Sequence, residues 1–183
     1  MILLLNTSAG ISLISQESPL FQELAGVSAV TAASMVGIVS IGNAIGRVFW
    51  AWTSDLITRR VTFVVMFLVQ AALFWILPDA TSTAVLIILS FAILMCYGGG
   101  FGTMPASVAD AFGSKNVDPI YGLMLTAWGL ASALGPLLIA RMRETTGAYR
   151  GPLRVMAAVM LVSALLPLAV SPARAAVDGL RRS

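Results

Sequence analysis

The sequence predicts an all-α membrane protein, a bundle of six transmembrane helices, and three observations predict it. Charged residues make up 10% of the 183-residue chain and hydrophobic ones 58%, against roughly 25% charged in soluble domains, so water is not the solvent around most of the surface. Apolar runs recur at about the 20 residues needed to cross a hydrocarbon core of about 30 Å. The segments between the runs are short, which excludes long linkers and extramembrane domains.

The first apolar stretch, residues 1–15, would be about 22 Å long if wholly helical, shorter than a span. It has neither a basic region ahead of its apolar core nor a small-residue cleavage pattern, so it is not a signal peptide; its beginning is expected to lie before Met1. A polar segment, residues 16–26, follows with Gln16, Glu17 and a Pro19 turn. The second span, residues 27–52, is rich in Ala, Ser and Gly and is interrupted by Asn43 and Arg47. After a charged turn, residues 54–60, comes the third span, residues 61–77, ended by Pro78 and Asp79. The fourth, residues 84–105, carries Gly98, Gly99, Gly100 and Gly102, which loosen a helix and let a neighbour approach closely. A polar connection, residues 110–119, leads to the fifth span, residues 120–140, with Gly122, Gly129 and the Gly135-Pro136 pair. The sixth is expected at residues 153–170, so that residues 1–170 form the bundle and residues 171–183 a cytoplasmic tail.

Composition removes whole classes of function. The chain has no histidine and one cysteine, Cys96, inside an apolar run. An intrachain disulfide, a histidine metal site and a histidine proton relay are excluded, so neither an enzyme nor a cofactor or metal protein is expected. The net charge of +3 comes from arginines scattered over helix ends, not from a stripe, which argues against nucleic-acid binding and for the basic loops of a membrane protein. Arg59, Arg60, Lys115, Arg174, Arg181 and Arg182 lie on one side, and Arg141, Arg143, Arg150 and Arg154 on the other. This bias places the first group in the cytoplasm and leaves the second as an unexplained exception.

The stretch from Ala51 through Asp55 to Arg59 and Arg60 resembles the loop motif G-x-x-x-D-(R/K)-x-G-R-(R/K) of the major facilitator superfamily. Asp55, Arg59 and Arg60 stand where the motif wants them, while Ala51, Leu56 and Thr58 replace its other positions. Together with Asn6 to Ser15, Gly42-Asn43 to Gly46-Arg47, Tyr97 to Pro105, Asp110 to Gly113, Tyr121-Gly122, Trp128 and Gly135-Pro136, the chain resembles helices seven to twelve of the oxalate:formate antiporter family, relatives of the monocarboxylate transporters. The resemblance implies the C-terminal half of a secondary transporter for small organic anions in the inner (plasma) membrane. It implies as partners the lipid bilayer and either a missing N-terminal six-helix half or a second copy. The competing expectation is a transport-silent truncated product or a membrane interaction subunit.

Arg47 is the most informative residue, because a charge within a span costs about 2.5–3.5 kcal/mol on insertion scales. Asp55 lies eight residues further on, which puts Arg47 about 12 Å inward, beyond comfortable snorkelling reach. The resemblance implies that it binds the substrate carboxylate, for which a guanidinium fork is suited. Asn43 and Ser40, at i−4 and i−7, share its helical face and are expected to point to the bundle interior. Asn43 either orients Arg47 or packs. Asn6, Thr7 and Ser8 are expected to pack near mid-membrane, with substrate contact by Asn6 as the alternative. Tyr97 and Trp128 are candidates for lining the pocket, with lipid contact as the alternative for Trp128, and Tyr121 for an interfacial anchor. The resemblance implies that oxalate-transporting members carry a second cation, a lysine, midway along the helix that matches residues 120–140. None occurs here between Lys115 and Arg141, so a dianion would remain half-neutralised and a monocarboxylate such as formate or lactate fits better than oxalate. Asp55, Arg59 and Arg60 are expected to be structural, the arginines solvated in preference to pairing with Asp110. Glu17 and Glu23 are expected in a solvated loop at the membrane edge.

Overall fold

The computed structural model describes residues 1–169; the expected tail and the end of the sixth span lie outside the described residues. Six long helices follow in order: α1 (Ile2–Ala25), α2 (Ala29–Leu56), α3 (Arg59–Ile76), α4 (Thr83–Phe112), α5 (Val117–Thr146) and α6 (Arg150–Ser163), with a short α7 (Leu166–Ala169) after a turn. Five stretches, α2, α3 with its following turn, α4, α5 with its preceding turn, and α6 through α7, are long and apolar enough to cross a membrane. With 24 residues α1 also has the length. Its polar residues set it apart, and it lies inside the bundle with Leu3, Ala9, Leu13, Leu20 and Phe21 buried.

Local chemistry sets the boundaries. Gly26 and Gly147 close α1 and α5 at φ 65° and 74°, a conformation other residues rarely adopt. Ser28 caps α2 by accepting from the Thr31 amide at 3.2 Å, and Thr58 caps α3 by accepting from Val61 at 3.2 Å. One expectation fails here. Residues 16–25 are not a polar loop: α1 runs through Pro19 to Ala25 because Leu20 and Phe21 beyond the proline are fully buried, and their burial outweighs the lost backbone donor. Glu17 is consequently an interior residue, and Glu23 sits in a helix instead of a solvated loop.

In the packing, α2 rests mainly on α4, α5 mainly on α1, and α3 on α4 and α6. A core of Phe21, Phe67, Phe74, Leu86, Ile93 and Leu94 fills the space among α1, α3 and α4. The α2/α4 contact is a glycine seam in which each helix touches the other's backbone. A Cβ at Gly42 or Gly46 would meet the carbonyl oxygen of Phe91 or Met95 at 2.6 and 2.0 Å; one at Gly98 or Gly102 would meet that of Asn43 or Arg47 at 2.0 and 2.1 Å. Glycines at i and i+4 on both helices let the two axes approach as membrane helices do without a hydrophobic driving force between them. The glycines of α4 therefore bring a neighbour close, within a helix that is continuous from Thr83 to Phe112.

At the end of the bundle where α1 finishes, Glu23 takes Arg143 at 2.8 Å and the Tyr149 amide at 3.2 Å, while the Tyr149 hydroxyl donates to Gln16 at 3.0 Å. Burial pushes the Tyr149 hydroxyl above its ordinary range, with Arg143 opposing. Asp79 pairs with Arg150 and, at 3.3 Å, with Arg154, which also lies over the Trp75 ring. Of the second basic group, Arg143, Arg150 and Arg154 meet acidic partners, Glu23 and Asp79, on other elements, while Arg141 is exposed.

Candidate functional site

Because α2 and α5 are each held chiefly by one neighbour, they flank the α1/α4 pair and leave an open face. Arg47 reaches this face from α2, and its guanidinium carbon lies 5.4 Å from the centroid of the Phe101 ring on α4. Phe101 is nine residues before Asp110, about 13 Å along the helix. The cationic head is thus held at the depth of Phe101 and does not stretch toward the Asp110 end, as snorkelling requires. Among the described residues no carboxylate lies within ion-pair distance of Arg47. The aromatic face supplies part of the solvation that the bilayer withholds.

The other predicted residues assemble around this contact. The Tyr97 ring meets Phe101 edge-on at 5.3 Å. It also interacts with Trp128 and lies in electrostatic range of Arg47, as does Tyr121. Tyr97 is seated against Gly10, where a Cβ would fall 2.2 Å from the ring. Asn6 is 2% exposed and donates from Nδ2 to the Tyr97 carbonyl at 3.0 Å, tying α1 to α4 directly beneath the cluster. That contact is a packing role. Asn43 lies over Gly98 with its Oδ1 buried and unpartnered, so it packs on α4 and no hydrogen bond joins it to Arg47. Trp128 is 38% exposed on the open face.

Two expectations need correction. Ser40 does not face the interior of the bundle; it is exposed and donates to its own helix at Val36, because the stripe it shares with Arg47 looks out from the open flank. Arg59 is not a solvated charge: it bonds Asp110 at 3.2 Å, Asp55 one turn back, and Ser54, so the motif residue clamps α2 to the end of α4. Tyr121 stands one turn inside α5 and packs partly buried against the core. Phe101 was not singled out by the sequence, since an aromatic residue in an apolar run carries no signal of its own.

Six long helices, giving five stretches long and apolar enough to cross a membrane, with an arginine-aromatic cluster on an open flank, define a multi-pass membrane bundle. The sequence matches the Major Facilitator Superfamily over residues 1–182, and the chain belongs to that superfamily, which is made up of transporters and not enzymes. It is 28% identical over 132 residues to an uncharacterised transporter of Escherichia coli K12, YhjX, covering 68% of this chain and 31% of that protein. It is 29% identical over 94 residues to the probable sulfoacetate transporter SauU of Cupriavidus necator, covering 51% and 21%. To the apicoplast pyruvate carrier 1 of Toxoplasma gondii it is 29% identical over 124 residues, covering 64% and 22%. The chain thus spans about a third or less of the length of these curated relatives.

Proposed function

We propose that this chain is the C-terminal half of a secondary transporter for small organic anions, with a monocarboxylate as its substrate. The observation that carries the reading is the Arg47 guanidinium, held over Phe101 with no carboxylate among the described residues to match it. A charge in that position is costly unless it serves a ligand, and the free fork matches a carboxylate in two parallel hydrogen bonds. Two relatives bear the names of small organic anions, sulfoacetate, a dianion, and pyruvate, a monocarboxylate; both support an organic-anion substrate and the second the monocarboxylate.

The open face of α2 and α5, with Ile38, Ile45, Phe49, Leu134 and Leu138 exposed, is where a second six-helix half, or a second copy, completes the cavity. Access alternates as the halves rock about it. The carrier lies in the inner (plasma) membrane with the Asp55–Arg59–Asp110 clamp on the cytoplasmic side, and it works as an antiporter when a second anion loads the returning site. Uptake into proteoliposomes by a complete carrier containing these helices tests the reading. Labelled pyruvate should enter saturably and be competed by lactate and formate, but not by a neutral amide analogue. Equal competition by the amide would overturn the anion assignment.

A further inference from the structure

Glu17 plays no part in the site described above, yet its side chain is completely buried, and neither carboxyl oxygen has a hydrogen-bond partner. It lies on α1 in a stripe with Asn6, Gly10 and Leu13, spaced by four, three and four residues, which is the stripe that meets Tyr97 and Gly100 of α4. Since α4 runs antiparallel to α1, the register puts Ser90 at about the level of Glu17, and the Ser90 hydroxyl is likewise buried without a partner.

The charged groups of the surrounding helices are engaged elsewhere. On α1 and α5, Glu23 is paired with Arg143, while Arg141 and Glu144 are exposed; on α6, Arg150 and Arg154 hold Asp79 at the end of α3. Tyr149 donates its hydroxyl to Gln16. The parts of α2 and α4 nearer this end carry no charged residue before Arg47 and Asp110, and the titratable groups that α4 adds, Cys96 and Tyr97, lie toward the cluster. An ionised carboxylate in such a place, without a cation or a donor, costs far more than its neutral acid. Glu23 shows the opposite solution six residues away, a charge kept because an arginine meets it.

We propose that Glu17 is a proton-binding site, occupied while α1 is packed on α4 as here and emptied when the rocking of the transport cycle brings it into contact with water. The reaction is Glu17 carboxylic acid giving carboxylate and a proton to the solvent on one side, and the reverse on the other. One proton then crosses with one monocarboxylate, without net charge. The inference rests on the function proposed above for its transport consequence, and on the structure alone for the bound proton.

Two measurements separate these parts. In the chain embedded in lipid nanodiscs, infrared spectra at neutral pH should show the C=O stretch of a protonated carboxylic acid, lost in Glu17→Gln and kept in Glu23→Gln. Its absence from the unaltered chain, or its persistence in E17Q, would overturn the proposal without reference to transport. In a complete carrier containing these helices, an inward proton gradient of one pH unit should concentrate pyruvate about ten-fold in proteoliposomes. E17Q should lose that accumulation while still exchanging labelled for unlabelled pyruvate across the bilayer. E17Q that concentrates pyruvate as well as the unaltered carrier would refute coupling through Glu17. If no pyruvate, lactate or formate enters at all while the infrared band is present, the anion reading falls and the proton site stands on the band.

Discussion

Replacing Gly46 by alanine puts a single methyl group into one of the two closest backbone contacts of the α2/α4 seam. The new Cβ would lie 2.0 Å from the Met95 carbonyl oxygen and 2.6 Å from its carbonyl carbon and Cα, where ordinary contact begins at 3.4 Å. The obstacle is backbone, not the end of a flexible side chain, so α2 and α4 must part by about 1.4 Å at this point. Overpacking of this kind costs about 1–3 kcal/mol, and separating the helices also loosens the contacts at Gly42, Gly98 and Gly102. The better helix propensity of alanine returns up to about 1 kcal/mol, leaving a net loss of about 1–2 kcal/mol. Gly129→Ala is the matched control, because nothing lies within 4 Å of a Cβ there, and it should be neutral or stabilising by up to about 1 kcal/mol. Thermal unfolding in mild detergent, followed by tryptophan fluorescence, reads both. A midpoint for Gly46→Ala equal to or above that of the unaltered chain would refute the seam.

Other substitutions probe the remaining joints. Asn6→Ala removes the bond to the Tyr97 carbonyl and should lower stability by about 1 kcal/mol, measured by the same unfolding assay. Arg143→Ala leaves Glu23 without its cation, with the Tyr149 amide still donating to it, and should lower the midpoint more than Arg141→Ala does in a parallel melt. Phe101→Leu keeps bulk but removes the aromatic face under Arg47; in a complete carrier it should weaken substrate binding by about 0.5–2 kcal/mol, read as a rise in the Kd for pyruvate.

Arg47 was legible in the sequence because its distance from Asp55 fixes its depth, and depth makes a charge conspicuous. Its partner Phe101 was not: that contact depends on how α2 and α4 are registered, which neither helix states alone. The seam between them was half legible, since Gly42/Gly46 and Gly98/Gly102 each repeat at four residues, but only the packed pair shows that they face one another. Glu17 was misread for a local reason. Gln16, Glu17, Ser18 and Pro19 together have the composition of a turn, and the burial of Leu20 and Phe21 that keeps the helix going is a tertiary effect. Arg59 was misread in the same way, because Asp110 reaches it across 51 residues. The acidic partners of Arg143, Arg150 and Arg154 were out of sight too, because Glu23 and Asp79 reach them from other elements of the chain.

The central claim is that Arg47 holds the substrate carboxylate, and substrate affinity in Arg47→Lys and Arg47→Ala tests it most directly. Both variants belong in a complete carrier containing these helices, after normal membrane insertion has been confirmed. Lysine keeps the charge and loses the planar fork, so affinity for pyruvate should fall by about 1.5–3 kcal/mol, roughly ten-fold or more. Alanine should nearly abolish binding. If the arginine serves only membrane solvation, lysine would substitute freely and alanine would relieve an insertion cost. Unchanged affinity in both variants would contradict the account.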